Sequence, residues 1–364
     1  MGSSTLILVL VLAASPANPI PKAEVERQNT VFAAQWNDDF VWNFDKLPTK
    51  GSVPKDRIPY SGYIYLDKWG GTEEVMSKYD GAFNRGFPAT SWEEVDNTEG
   101  KKKAGGLFFR QEDNGWFGHC NGWAAAAIRH AEPQHSVRVN GVVFTPADIK
   151  GLLAEVYVYN DIEMLAGENV SLNPGTLHAI LANWIGRGSH PIGMDADPGE
   201  EKWNYPVYSF ASGFAKRSPG EVEVRTNILF AKDTEDEEFD NSPRNHDMKS
   251  FHYMLYVDSQ GKIVGGYYFD DSDRIDFVWV PLRPKQAGEE GNENGNPYLD
   301  VSQVLDLWRK SVTRNARRQW LIVDLAEKDR AVEVADPSQI LPRRIRIVPP
   351  NRTAESTDLF RIVR

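Results

Sequence analysis

The sequence predicts an α+β fold in which a helix carrying its only cysteine packs on an antiparallel sheet. Three observations support this. Residues 113–128 (DNGWFGHCNGWAAAAI) deliver Cys120 from a Gly-rich, aromatic turn into an Ala124–Ala127 run that strongly favours helix. Residues 251–258 (FHYMLYVD) and 262–269 (KIVGGYYF) alternate apolar side chains on either side of a Ser259–Gly261 turn, as a β-hairpin does. Val301, Val304, Leu305 and Trp308 fall on one face of a helix expected over residues 300–312.

The elements group into four stretches. Leu6–Ala14 is an apolar run too short to span a bilayer, and small residues Ser15 and Ala17 follow it. Residues 1–17 therefore read as a signal peptide cleaved after Ala17, and the protein as secreted, periplasmic or wall-associated; a buried N-terminal strand is the alternative. Residues 18–110 form an N-terminal lead and a candidate pro-segment, with Trp36, Phe40, Trp42 and Phe44 spaced to pack onto something. Residues 111–285 hold nearly all the chemistry. Residues 286–364 are a C-terminal extension: the helix, a strand-like Trp320–Leu325 and a basic tail.

At 364 residues, with 41% hydrophobic and 26% charged, the chain can bury a full core. A net charge of −11 argues against a nucleic-acid partner, because phosphate binding needs clustered Lys and Arg. No stretch is apolar and long enough for an integral membrane segment. The polar loops at 232–247 and 287–297 lack the alternating ligands of an EF-hand and read as solvated.

A lone cysteine is usually a small buried hydrophobe, and it cannot form an internal disulfide. The neighbours of Cys120 favour a reactive role. At a helix start the thiol faces unpaired backbone N–H groups and the positive end of the dipole, which stabilise thiolate and can hold an oxyanion. Gly118 and Gly122 are expected to let the backbone approach a substrate closely. Asn114 is a candidate oxyanion amide, and Trp116, Phe117 and Trp123 are candidates for an apolar substrate channel.

A thiol nucleophile needs a base and the base an orienting group. Of seven histidines, His119, His130, His135 and His246 read as structural or solvent-facing, leaving His178, His190 and His252. Residues 178–185, the Gly186–Ser189 turn and residues 191–197 can form a hairpin that sets His178 across from Asp195. A helix starting at Asn173–Pro174 competes with that hairpin, since Leu177, Leu181, Trp184 and Ile185 have helical spacing, and it would make His178 a packed core residue. His252 with Asp270 or Asp271 is the alternative pair. Asp197, which precedes Pro198, is the rival of Asp195 and reads as a turn residue.

The pattern Gly118-x-Cys120-x-x-Trp123-Ala124 resembles the nucleophile motif of transglutaminases and, less closely, of papain-like proteases. Five stretches in order resemble the transglutaminase elicitor family: GWFGHCNGWAAAAI, NGVVFTPADIKGLL (140–153), His178 with ILANWIG, GMDADPGEEKWNYPV (193–207), and the 253–269 hairpin with DFVW (276–279). The resemblance covers residues 110–285. It implies a papain/transglutaminase-like core, with Cys120, His178 and Asp195 as nucleophile, base and orienter. It also implies a surface motif at Trp203, Asn204, Pro206 and Val207. Asn121 and Tyr205 depart from the family pattern, which has His and Gln there.

The implied activity is protein-glutamine gamma-glutamyl transfer. Cys120 forms a thioester on a glutamine-containing protein, ammonia leaves, and a primary amine such as lysine or a polyamine takes the acyl group. No cofactor is implied and no metal is expected, because no His and Cys ligand cluster is visible. A papain-like peptidase or amidase and a non-catalytic secreted or wall-associated binding protein are the alternatives.

Overall fold

A computed structural model describes residues 18–103, 117–167, 171–199 and 201–320. The helices are α1 (Lys22–Trp36), α2 (Glu73–Phe83), α3 (Pro88–Lys103), α4 (Cys120–Arg129), α5 (Pro146–Tyr157), α6 (Pro174–Ile180), α7 (Val301–Ser311) and α8 (Arg314–Trp320). The strands are β1 (Lys50–Ser52), β2 (Val137–Val139), β3 (Val142–Phe144), β4 (Asp161–Ala166), β5 (Ile192–Asp195), β6 (Asn204–Ser218), β7 (Glu221–Ala231), β8 (His246–Val257), β9 (Ile263–Tyr268) and β10 (Val278–Arg283). Strands pair antiparallel in the order β4-β10-β5-β6-β7-β8-β9, with β1 added alongside β6; β2 and β3 form a separate hairpin. The mixed helix and antiparallel-sheet class is thus as the sequence predicts, including the β8–β9 hairpin and a Cys120 helix lying on strands β5, β6 and β10.

Caps place the helices. Thr145 and Asp148 form a reciprocal capping box at the head of α5, and the Asp300 side chain accepts the Gln303 N–H at the head of α7. Asn173 accepts from Gly175 N–H with Pro174 behind it, so the chain through His178 starts as helix α6 and continues as a π-helical turn over Leu181–Arg187. The 178–197 hairpin therefore does not form, and the competing helical reading holds. The strand expected from Trp320 is also corrected: Trp320 ends α8, and residues 321–364 lie outside the described residues.

Two large cores flank the sheet. Strand alternation shows this at β10, where Val278 and Val280 join one apolar cluster and Trp279 the other. The first core holds Leu177 and Ile180 of α6 with Val224, Phe251, Tyr253 and Leu255. Phe32, Phe40, Trp42 and Phe44 belong to it too, so the aromatic residues of the N-terminal lead pack into the body of the protein. The second core joins α4 and α5 to α2 and α7 through Ala124, Ala125, Leu152, Tyr157 and Trp308. Sheet alternation thereby assigns α6 and α4 to opposite faces.

Candidate active site

Cys120 is the first residue of α4 and is half-buried. Its thiol donates toward the Lys202 carbonyl (3.4 Å), and the Asn204 side-chain amide donates to Sγ (3.7 Å). Burial raises the pKa of the thiol. Backbone and side-chain donation from Asn204 opposes that, the Asp195 charge adds to it, the Asn121 N–H opposes it, and the net result is a raised pKa. Asn204 is itself held fast, because its Oδ1 accepts from the Trp279 indole N–H at 2.9 Å.

Asp195 lies directly across from Asn204 in the β5–β6 register. It is fully buried, and its Oδ1 accepts from the backbone N–H groups of Trp203 (2.8 Å) and Asp197 (3.3 Å). Among the described residues Oδ2 accepts no hydrogen bond; the nearby cation is the Lys202 ammonium at 3.6 Å, which also pairs with Asp276. Burial raises the carboxyl above its ordinary range despite the two N–H donors and Lys202. Asp197 serves as a turn residue, accepting from Gly199 N–H.

His178 is not part of this group. Its Nδ1 bonds to the Tyr253 hydroxyl (2.9 Å), its ring stacks on Phe44, and it makes no hydrogen bond to Cys120 or Asp195. The Tyr253 hydroxyl continues to Thr226 and from there to Ser212, at 2.7 Å each. Burial lowers the imidazole to about 4. The Cys–His–Asp juxtaposition expected from the sequence is therefore corrected, because a helix on the other face of the sheet replaces the hairpin that would have aimed His178 at Asp195. His252 of β8, the alternative base, pairs with Glu223 of β7 (3.0 Å) and with Asp271, just past the end of β9 (2.5 Å).

Other expectations also change. Asn114 and Trp116 lie outside the described residues. Trp123 is buried at 2% exposure, donates to the Tyr60 carbonyl and meets Tyr205 edge-on, so it is core rather than channel wall. Gly118 and Gly122 approach the protein's own backbone instead of a substrate. A Cβ on Gly118 would lie 2.7 Å from the Ile64 carbonyl oxygen, and one on Gly122 only 2.0 Å from that of Ala154. The surface reading of the 203–207 motif is corrected as well: Asn204, Pro206 and Val207 are buried where β6 pairs with β5, and Trp203 is half-buried. Asn121 ties α4 to the end of α5 by donating to the Val158 carbonyl (2.8 Å).

Sequence reading missed one cluster beside the nucleophile. His119 Nε2 lies 3.1 Å from Glu155 Oε2 and 4.0 Å from Glu93 Oε1, and all three residues are buried. Burial lowers the imidazole pKa, but the two carboxylates outweigh it and leave it raised. Glu93 is raised by burial and by Glu155. These residues are far apart in the chain and match no ligand spacing, so no sequence signal marks them.

Fold and site together define an α+β protein whose single thiol heads a helix packed on an antiparallel sheet. The family model described as Transglutaminase elicitor matches residues 112–170, in line with the resemblance read from the sequence. The fold is similar to the crystal structure of the GP42 transglutaminase from Phytophthora sojae, with a TM-score of 0.63 and 21% identity over 80% of this chain and 98% of that one. No curated protein matches the chain significantly.

Proposed function

We propose that this chain is a protein-glutamine transamidase with Cys120 as nucleophile and a papain/transglutaminase-like catalytic core. The observation that carries the reading is the placement of Cys120. The thiol heads a helix, takes hydrogen bonds from Asn121 and Asn204, and is acted on by the Asp195 charge, in a fold similar to that of a transglutaminase. His178 has no part in the proposal. Asp195, whose Oδ2 accepts no hydrogen bond among the described residues and faces the Lys202 ammonium, accepts the thiol proton in its place.

In the acylation step the sulfur bonds to the glutamine side-chain carbonyl carbon, the C–N bond breaks, and ammonia leaves with the proton held by Asp195. Unpaired N–H groups at the head of α4 and the Asn204 amide stabilise the oxyanion. A primary amine then attacks the thioester, an isopeptide bond forms, and the thiol is regenerated; water in place of the amine gives glutamate. Lysine side chains and polyamines are the amine donors, and the acidic net charge favours their approach. Residues 1–17 lie outside the described residues, and export through that leader is part of this proposal.

The test is incorporation of a labelled primary amine into a glutamine-rich protein. Wild type is expected to incorporate it. Cys120→Ala should abolish incorporation, and Asp195→Asn should lower kcat about 10²-fold or more. One observation favours a second reading, a non-catalytic binding protein: the thiol has no imidazole partner among the described residues, and burial holds its pKa up. Failure of both amine incorporation and iodoacetamide labelling of Cys120 would select that reading.

A further inference from the structure

The Glu93–His119–Glu155 cluster has the form of a ligand set. His119 Nδ1 sits 3.2 Å from the Tyr65 carbonyl, which can only accept, so Nδ1 carries a hydrogen and Nε2 faces the two carboxylates. An outer hydrogen bond of this kind orients metal-binding histidines. Thr72 donates from Oγ1 to Glu155 Oε2 and from its N–H to Glu93 Oε1, both at 3.1 Å, so the carboxylate oxygens are held facing inward. The three donor atoms lie within 4.8 Å of one another. Ligands about 2.1 Å from a tetrahedral ion sit about 3.4 Å apart, close to the separations from Nε2 of 3.1 and 4.0 Å.

A divalent cation at this point would take the Nε2 lone pair and one oxygen from each carboxylate, with Nδ1–H held by the Tyr65 carbonyl. We propose that Glu93, His119 and Glu155 bind one divalent transition-type cation, Zn²⁺ before Mn²⁺. The nitrogen ligand and the small site disfavour Ca²⁺, which takes six to eight oxygens. The ion joins α3, the residue before α4, and α5, and so fixes the head of the helix that carries Cys120. Its role is positioning, and it is independent of the reaction proposed above.

The experiment uses the full mature chain without a tag, stripped with chelator, and titrated with ZnCl₂ alone by calorimetry. CoCl₂ absorption is followed in parallel. The expected result is one equivalent bound with Kd at or below about 1 μM and a melting temperature raised by about 5 °C at 100-fold Kd. CaCl₂ should have neither effect. Glu93→Gln, which keeps the shape, should weaken binding about 100-fold, whereas Cys120→Ala should leave it unchanged. Binding that survives Glu93→Gln and His119→Gln, or that is lost with Cys120→Ala, overturns the assignment. So does the absence of both Zn²⁺ binding and Co²⁺ d–d bands in wild type, which would leave a proton-bridged cluster. The wild-type cobalt spectrum decides even where a variant fails to fold.

Discussion

At the scale of the residue, the environment of each titratable side chain separates chemistry from architecture. Cys120 meets donors on two sides and a carboxylate nearby, whereas His178 is enclosed by Phe44 and a chain of hydroxyls. That enclosure has a measurable consequence. A histidine held neutral at a pKa of about 4, against 6.5 when unfolded, binds its proton more weakly in the folded state. Between those values the unfolded chain carries more protons, so stability present above pH 6.5 is lost as pH falls toward 4, by about 3 kcal/mol from this residue. His130 and His190, also buried and lowered, add their own acid sensitivity. Denaturant titrations at pH 7 and pH 4.5 should therefore show a smaller acid loss in His178→Gln than in wild type, by about 2–3 kcal/mol. Equal losses would mean that the imidazole is solvated or charged in the folded protein.

At the scale of the element, the head of α4 is positioned by backbone contact. Gly122 allows the Ala154 carbonyl of α5 to lie where a side chain would otherwise be. Gly122→Ala should force the two helices apart, with a stability loss of about 3 kcal/mol in chemical denaturation. A loss under 1 kcal/mol would show that the pair has slack. The element scale also shows what the sequence makes legible. Ala124–Ala127 marks α4, the alternation in 251–269 marks the β8–β9 hairpin, and Val301, Val304, Leu305 and Trp308 mark α7, because each pattern is local and periodic. The segment after Asn173 carries two local signals: the Asn–Pro cap favours helix, while the Gly186–Ser189 turn followed by an apolar run suggests a hairpin. The cap prevails, and that single outcome moves His178 to the far face of the sheet. Asp195 stays in the site because it lies on a strand under either reading.

At the scale of the whole molecule, the N-terminal lead is structural. Phe32, Phe40, Trp42 and Phe44 fill the first core, and β1 pairs with β6. Removing residues 18–52 should abolish cooperative thermal unfolding, and Phe32→Ala alone should cost about 3–5 kcal/mol. A truncated chain that melts cooperatively and gains activity would instead identify a removable pro-segment. The site is only half legible in the sequence for a related reason. Cys120, Asp195 and Asn204 come from stretches with recognisable motifs, whereas Glu93 and Glu155 are brought to His119 by the packing of α3 and α5, which no residue spacing encodes.

The most direct test of the account compares labelled-amine incorporation by wild type, Cys120→Ala and His178→Gln, each confirmed folded by its melting curve. The expected result is no incorporation by Cys120→Ala and incorporation by His178→Gln within about fivefold of wild type, since His178 touches neither Cys120 nor Asp195. A folded His178→Gln protein as inactive as Cys120→Ala would contradict the account and restore the imidazole to the catalytic centre.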